Sequence, residues 1–77
     1  MIEGVLIPVR WGPDGEVAEV GLMTFDEAEY RIDPTLPEVP ELHRYLRRHV
    51  RISGRTDGSR LVEIRRLQVM EQRGSNP

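Results

Sequence analysis

The sequence predicts an all-β domain with one helix, in which three strands precede the helix and two follow it. Three observations support this fold class. Several short segments carry apolar residues at every second position, turn-forming residues separate these segments, and one segment repeats its apolar residues at helical spacing. The chain has 77 residues, which is enough for one domain. It has no cysteine, so this domain contains no disulfide. We expect residues 1–71 to form that domain and residues 72–77 to be a disordered tail.

The first strand is indicated by alternation near the start of the chain. Val5, Ile7, Val9 and Trp11 occupy every second position, which is the period of a strand. Pro8 lies within this run and cannot donate a hydrogen bond to a neighbouring strand. We therefore expect Pro8 at a sheet edge, a bulge or a sharp bend.

Two further strands follow with short connections. The turn sequence at residues 12–15 ends the first strand, and alternation over residues 16–25 predicts the second. Gly21 within it predicts a bulge or strong coiling, as a small closed barrel requires. A short third strand is predicted from Ala28 to Ile32, so that the three strands form an antiparallel meander.

A helix is predicted from about Pro40 to His49, after a proline-rich lead-in at residues 33–40. Its apolar stripe has the spacing i, i+3, i+4, i+7 and i+8 and consists of Leu42, Tyr45, Leu46, His49 and Val50. We interpret His49 on this stripe as a packing residue. The opposite side of the helix carries arginines at similar spacing, namely Arg44, Arg47, Arg48 and Arg51.

Two strands joined by a hairpin turn complete the domain. Alternation from Val50 to Arg55 predicts the fourth strand, and the turn at residues 56–59 contains Asp-Gly, which supplies the positive φ of such turns. The fifth strand is predicted over residues 60–70. Its inward-facing set changes phase around Arg65 and Arg66, so we expect a bulge at this arginine pair.

The order of these elements and one local passage resemble the OB fold, a partly open five-stranded Greek-key barrel. In many small OB domains, a helix closes the bottom of the barrel and runs directly into a fourth strand of pattern V-x-V-x-G-x. Here that strand reads Val50-Arg51-Ile52-Ser53-Gly54-Arg55. The resemblance implies a five-stranded OB-type Greek-key barrel, but it selects no function, because OB barrels serve many roles. The alternative architecture is an SH3-like barrel, which usually carries a single 3₁₀ turn in place of a three-turn helix.

Charge is distributed unevenly along the chain, although the net charge is only −2. Residues 1–41 contain two arginines and ten acidic residues, whereas residues 42–77 contain nine arginines and three acidic residues. All eleven Lys and Arg positions are arginine, whose planar guanidinium suits carboxylate or phosphate. We favour the interpretation that the acidic half folds against the basic half and neutralises it. A dedicated anion-binding surface is the alternative.

OB barrels that bind single-stranded nucleic acid use aromatic side chains on the second and third β-strands and arginines around the groove. This pattern predicts candidate binding residues here. Phe25 and Tyr30 are the aromatic candidates, with Trp11 as a further one, although we favour core or half-core positions for Phe25 and Tyr30. The acidic residues beside them, Asp26, Glu27 and Glu29, disfavour a phosphate backbone there. The complete set of candidates is Phe25, Tyr30, Arg44, Arg47, Arg48, Arg51, Arg55, Arg65 and Arg66.

The sequence contains no recognisable catalytic, metal-binding or cofactor-binding motif. His43 and His49 are six residues apart, which places them about 120° from a shared helix face. The acidic residues lack the spacing of a calcium loop, and no nucleophile has a neighbouring base. We therefore predict a non-enzymatic binding module with no cofactor and with a protein partner. Binding of single-stranded nucleic acid is the alternative function, and an enzyme is disfavoured.

The compartment is predicted from features that the sequence lacks. No apolar segment approaches the roughly 20 residues of a membrane span. The first residues show no basic stretch followed by an apolar stretch, so we expect no secretory signal. The missing cysteines fit a reducing compartment. We expect a cytoplasmic protein with no membrane partner, and the sequence predicts no oligomeric state.

Overall fold

The alternating segments form five strands, and the chain between the third and fourth strands forms a short helix. The computed structural model describes residues 1–70. Its elements are β1 (Ile2–Trp11), β2 (Val17–Thr24), β3 (Glu29–Ile32), helix α1 (Val39–Leu42), a 3₁₀ turn (His43–Tyr45), β4 (His49–Asp57) and β5 (Arg60–Val69). The predicted tail at residues 72–77 lies outside the described residues.

The strands close into a barrel in the order β1-β2-β3-β5-β4. β1 pairs antiparallel with both β2 and β4, β2 with β3, and β4 with β5. β3 and β5 run parallel, and Ile32 pairs with Leu61 there. The fold class is therefore the predicted one, all-β with one helix. The order of the elements is that of the predicted OB-type Greek-key barrel.

The interior of the barrel is filled by aliphatic side chains from every strand and from α1. Leu6 of β1 lies opposite Leu22 of β2, and both are fully buried. Because neighbouring side chains on a strand point to opposite faces, these two residues define the inner face of β1 and β2. The whole buried cluster is Leu6, Val20, Leu22, Ile32, Val39, Leu42, Val50, Ile52, Leu61 and Ile64.

Pro8 lies where β1 loses its second neighbouring strand. The Leu6 N–H donates to Arg48 O at 3.2 Å, and Leu6 O accepts from the Arg47 N–H at 2.7 Å. Leu6 thus directs its backbone groups away from β2, and Pro8, two residues later, has no N–H to leave unpaired at that edge. The register with β2 also shifts between Pro8 and Arg10. Both observations confirm the predicted edge and bulge.

The predicted bulge at the arginine pair of β5 is also confirmed. Ser53 pairs with Arg66, and Gly54 pairs with Ile64. Arg65 is therefore the extra residue of β5, with no partner in β4. Because β5 holds one extra residue here, the inward-facing positions after the bulge are displaced by one residue from the alternation before it. This displacement is the change of phase seen in the sequence.

Gly21 forms no bulge, so this part of its prediction is wrong. It pairs in regular register with Ile7 on one side and Arg31 on the other. A Cβ at this position would lie 3.0 Å from Val9 Cγ1 and 3.1 Å from Tyr30 O. The missing side chain therefore makes room for Val9 and for a close approach of β3.

The predicted helix from about Pro40 to His49 is wrong in its length. The α-helix spans only Val39–Leu42, and the 3₁₀ turn that follows ends at Tyr45. Leu42 of the predicted apolar stripe is buried in the core, and so is Val39, which the prediction placed in the proline-rich lead-in. Among residues 1–70, no helix is long and apolar enough to cross a membrane.

The helix ends early because the backbone that follows it forms hydrogen bonds with β1. Leu46 has extended backbone angles of φ −57° and ψ 136°, and Arg47 has a φ of 69°. The Arg47 N–H donates to Leu6 O and Arg48 O accepts from the Leu6 N–H, so these two groups bond to β1 in place of a continued helix, while the Arg48 N–H still donates to Tyr45 O. Tertiary pairing therefore overrides the local helical pattern.

Candidate binding surfaces

A cavity at one end of the barrel brings together Phe25 and Tyr30. Its volume is about 380 Å³, and the starts of β1 and β3 and the end of β2 form its walls. Tyr30 lies opposite the buried Leu22, so its side chain points inward and packs against the core. Phe25 is 67% exposed. The half-core position expected for both aromatics is therefore right for Tyr30 and wrong for Phe25. The cavity lining is Met1, Ile2, Glu3, Thr24, Phe25, Asp26, Ala28 and Tyr30.

The loop that presents Phe25 is a tight hairpin connection, residues 25–28. The Thr24 N–H donates to Ala28 O at 2.9 Å, and the Glu27 N–H donates to Thr24 O at 3.0 Å. The Thr24 hydroxyl donates to the Asp26 carboxylate, and this bond holds the pKa of Asp26 below its ordinary value. Glu27 adopts a φ of 70°, which closes the turn. Phe25 therefore sits in a turn held by hydrogen bonds on both sides.

Phe25 contacts a polar network that links β1 to β4. Its ring meets the His49 ring edge to face, with centroids 5.0 Å apart and planes at 76°. His49 Nε2 lies 2.7 Å from Glu3 Oε2, and Arg51 Nη2 lies 3.2 Å from Glu3 Oε1. The hydrogen bond from His49, and then that from Arg51, holds the pKa of Glu3 below its ordinary value. His49 is thus a packing residue as interpreted, although on a strand.

Four candidate arginines share the outer face of β4 and β5. Ser53 lies between Arg51 and Arg55 on β4 and pairs with Arg66 on β5, so all of these side chains point away from the core. The bulged Arg65 joins them, because its Nε lies 3.3 Å from Glu63 Oε2. We call this surface, formed by Arg51, Arg55, Arg65 and Arg66, the β4–β5 arginine face.

Two glutamates partly neutralise the β4–β5 arginine face. Glu63 accepts hydrogen bonds from Arg55 at 3.2 Å and from Arg65 at 3.3 Å. These bonds, with that from Arg55 the stronger cause, hold the pKa of Glu63 below its ordinary value. Glu3 pairs with Arg51 in the network described above. Glu3 with Arg51 joins the acidic half of the chain to the basic half, as expected. Glu63 does not, because it pairs with Arg55 and Arg65 inside the basic half.

The remaining candidate arginines do not join that face. Arg44 belongs to the 3₁₀ turn, and Arg47 and Arg48 belong to the connection between this turn and β4. All three side chains are exposed. Because the helix is short, Arg44, Arg47, Arg48 and Arg51 do not form the predicted stripe on one helix.

A second surface was missed by the sequence reasoning, the outer face of β1 and β2. Leu6 and Leu22 point inward, so their neighbours Val5, Ile7 and Met23 point outward. Val9 joins them, because its Cγ1 lies over Gly21. We call the surface formed by Val5, Ile7, Val9 and Met23 the β1–β2 apolar face, and each of these residues is partly exposed.

The signal for this face was present in the sequence as a run without polar interruption. Val5, Leu6 and Ile7 are consecutive apolar residues, whereas a strand with one face in water normally alternates with polar residues. Trp11 belongs elsewhere, because the register shifts again before it. It pairs with Val17, which packs against the core, and its own side chain is 54% exposed.

Comparison with known proteins assigns the chain to no family. No protein-family model, no curated protein and no solved structure matches it. Within residues 1–70, no group of three or more His, Asp or Glu side chains is placed to hold a metal ion.

Proposed function

We propose that this chain is a non-enzymatic binding module of the OB type, and that it takes a protein partner on the β1–β2 apolar face. The apolar face is the observation that supports the proposal. Leu6 and Leu22 already fill the barrel interior, so the outward Val5, Ile7 and Met23 add no inner core. Apolar surface in water costs roughly 25 cal/mol per Å², and contiguous apolar patches typically mark protein interfaces.

The OB type is supported by topology. The barrel closes through the parallel pair of β3 and β5, and α1 lies between β3 and β4. The β4 sequence has the V-x-V-x-G-x pattern that we associate with small OB domains. The cysteine-free sequence suits a reducing compartment, and we place the module in the cytoplasm.

Phe25 extends the β1–β2 apolar face at one end. Phe25 follows Thr24, and its ring packs against the ring of His49. His49 in turn pairs with Val5 of β1. An exposed aromatic ring that is already immobilised loses little conformational entropy on binding, which is the property of an interface anchor. We therefore assign Phe25 to the protein-binding surface.

The test compares the wild type with the double variant Ile7→Thr/Val9→Thr. Threonine keeps the β-branched shape that favours a strand, so the barrel is expected to fold while the face becomes polar. We expect the wild type to form a complex with a protein, either a second copy in pure solution or a chain from a nuclease-treated lysate. The double variant should bind that protein at least about tenfold more weakly.

The control variant is Arg66→Gln, which changes the opposite surface and should leave the same complex intact. Unchanged protein complexes in the Ile7→Thr/Val9→Thr variant would contradict the proposal. The same conclusion follows if wild type forms no protein complex in either setting.

Binding of single-stranded nucleic acid is the second candidate function, and the β4–β5 arginine face favours it. Arg51, Arg55, Arg65 and Arg66 lie together, and Phe25 contacts the strand that carries Arg51. In titrations with a labelled oligonucleotide, binding must weaken steeply with salt, because released counterions drive such binding. Absence of binding at low salt, or binding that survives Arg55→Gln/Arg66→Gln unchanged, rejects this alternative.

A further inference from the structure

We propose that the partner of the β1–β2 apolar face is a basic amphipathic helix, whose apolar side packs on the face and whose cations lie over the acidic loops at its two ends. This inference rests on the protein-binding function proposed above and names the chemistry of the partner. Two observations support it, the excess of exposed carboxylates around the face and the hydrogen bonding of the strands beneath it.

Both ends of the β1–β2 apolar face are bounded by acidic connections. At one end the chain turns from β1 to β2, and at the other end it turns from β2 to β3. The acidic residues there are all exposed, and within residues 1–70 none of their carboxylates takes part in a salt bridge. They are Asp14 and Glu16 in the first connection, Asp26 and Glu27 in the second, and Glu29 at the start of β3.

The two cations beside the face offset little of this negative charge. Arg31 lies level with Ile7, and Arg10 lies at the end of the face near the β1–β2 connection. Arg10 Nε is 2.9 Å from Glu19 Oε2, and Arg31 Nη1 is 3.9 Å from Glu19 Oε1. Because both guanidinium groups share this carboxylate, the three side chains together carry a single net positive charge. The surroundings of the face are therefore predominantly acidic, which favours a basic partner.

The strands under the face offer a partner segment no backbone groups to pair with. β1 pairs with β2 from Gly4 to Trp11, and β2 pairs with β3 from Gly21 to Met23. These hydrogen bonds lie in the plane of the sheet, so a segment that lies over the face must satisfy its own N–H and C=O groups. A single segment does so as a helix. Helices are also the elements that commonly cover the apolar face of a sheet.

The length of the face sets the length of this helix. Gly4, opposite Thr24, marks one end of the face, and Arg10, opposite Glu19, marks the other. The extended strand between them spans about 20 Å, which an α-helix covers with about 13 residues. The partner helix should therefore have three to four turns, an apolar stripe along one side, and Lys or Arg near both of its ends.

The experiment measures the binding of three fluorescently labelled peptides to the purified full chain. Each peptide is an amphipathic helix of about 14 residues with the same leucine stripe, and its polar positions carry Lys, Gln or Glu. We expect the Lys peptide to bind with a Kd in the micromolar range, at least about tenfold more tightly than the Gln peptide. The Glu peptide should bind more weakly still. The advantage of Lys over Gln should shrink as salt rises, because salt screens exposed charges.

Substitutions that neutralise one end at a time locate the contact. Glu27→Gln/Glu29→Gln removes two carboxylates beside β3, and Asp14→Asn/Glu16→Gln removes two from the β1–β2 connection. Each double variant should weaken the Lys peptide at least about threefold, since several exposed ion pairs are lost. Neither should change the affinity of the Gln peptide. Thermal melts show whether each variant is folded.

The matched control is Glu41→Gln/Asp57→Asn, which removes two exposed carboxylates from α1 and from the end of β4. It should bind the Lys peptide like the wild type. Equal weakening in this control would show that the peptide responds only to the net charge of the chain, and would overturn the inference. Lys-peptide binding that survives Ile7→Thr/Val9→Thr would overturn it as well, because the contact would then lie off the apolar face.

Failure of this inference is distinguishable from failure of the proposed function. If the Gln peptide binds as tightly as the Lys peptide, and Ile7→Thr/Val9→Thr loses both, the face binds protein and the basic character of its partner is wrong. If no peptide binds but the wild type captures a lysate protein that Ile7→Thr/Val9→Thr loses, the helical partner is rejected and the binding surface stands. If the wild type binds neither, both proposals are wrong.

Discussion

Gly54 shows how one missing side chain permits the closed barrel. It lies next to the bulge of β5, and a Cβ built on it would run into the carbonyl oxygen of Glu63 in the paired strand. Gly4 meets Met23 O in the same way. The glycine of the V-x-V-x-G-x pattern is therefore explained by close approach of two backbones, since its own φ is not in the left-handed region.

The first prediction concerns this contact. Gly54→Ala should lower the free energy of unfolding by about 2–3 kcal/mol, because the added methyl group must push β5 away. Gly12→Ala is the control, since a Cβ there has its nearest neighbour at 3.6 Å. Urea unfolding followed by circular dichroism measures both. Equal stability of the two variants would show that the strands separate without cost.

The second prediction concerns the left-handed conformation of Glu27, whose φ is 70°. This conformation costs an L-residue about 1–2 kcal/mol, whereas glycine adopts it freely but loses more chain entropy on folding. Glu27→Gly should therefore raise the free energy of unfolding by about 0.5–1 kcal/mol.

The control for this prediction is Glu29→Gly, which removes the same charge from an adjacent strand position. Glu29 has no positive φ, so this variant should be less stable than wild type. Thermal melts distinguish the two variants by the sign of the change. A melting temperature that falls for Glu27→Gly would contradict the assigned strain.

At the scale of the element, the short helix contributes two buried side chains to the core. Val39 and Leu42 are buried, whereas Leu46 after the 3₁₀ turn is only partly buried against the cluster. The sequence places Leu42 and Leu46 on one helical stripe, but the chain leaves the helix before that stripe is complete. Its stabilising contribution is therefore concentrated in one turn.

The third prediction follows from this concentration. Leu42→Ala should cost about 2–5 kcal/mol, as expected for a fully buried leucine whose removal leaves a cavity. Leu46→Ala should cost less than half as much, because its side chain is partly in solvent already. Chemical unfolding of both variants measures the difference. Similar losses would indicate that the predicted longer helix forms in solution.

At the scale of the whole molecule, acidic residues are held ionised at several places around the barrel. His49 and Arg51 lower the pKa of Glu3, and the Thr24 hydroxyl lowers that of Asp26. The Thr35 N–H and hydroxyl lower the pKa of Asp33, and Arg55 and Arg65 lower that of Glu63. Each carboxylate is therefore easier to ionise in the folded barrel than in the unfolded chain.

The fourth prediction is the resulting pH dependence. A lowered folded-state pKa contributes stability above the ordinary carboxyl value of about 4, and this contribution is lost as the pH falls below it. The melting temperature should therefore be constant near neutral pH and fall between about pH 5 and pH 2. Glu3→Gln should melt lower at neutral pH and show a shallower decline on acidification.

The control for the fourth prediction is Glu16→Gln, at an exposed position of the turn between β1 and β2. It should melt like the wild type at every pH. If the melting temperature of Glu3→Gln falls as steeply on acidification as that of the wild type, protonation of Glu3 does not contribute to acid unfolding.

Much of the fold was predictable because its signals are local. Alternation predicted all five strands, Pro8 predicted an irregular edge, and the change of phase at Arg65 predicted a bulge. The candidate surfaces were less predictable. Phe25 proved exposed, Tyr30 proved half-buried, and the β1–β2 apolar face was not singled out. Which face of a strand meets water depends on register, and register is decided by the partner strand.

The sequence by itself therefore determined the fold class, the order of the elements and the segregation of charge into two halves. Only the tertiary structure decided where the helix stops, because Leu6 of β1 competes for the backbone of Arg47 and Arg48. It also decided that four arginines share one outer face and that Val5 and Ile7 share another. These outcomes require contacts between residues far apart in the chain, and neither periodicity nor composition contains that information.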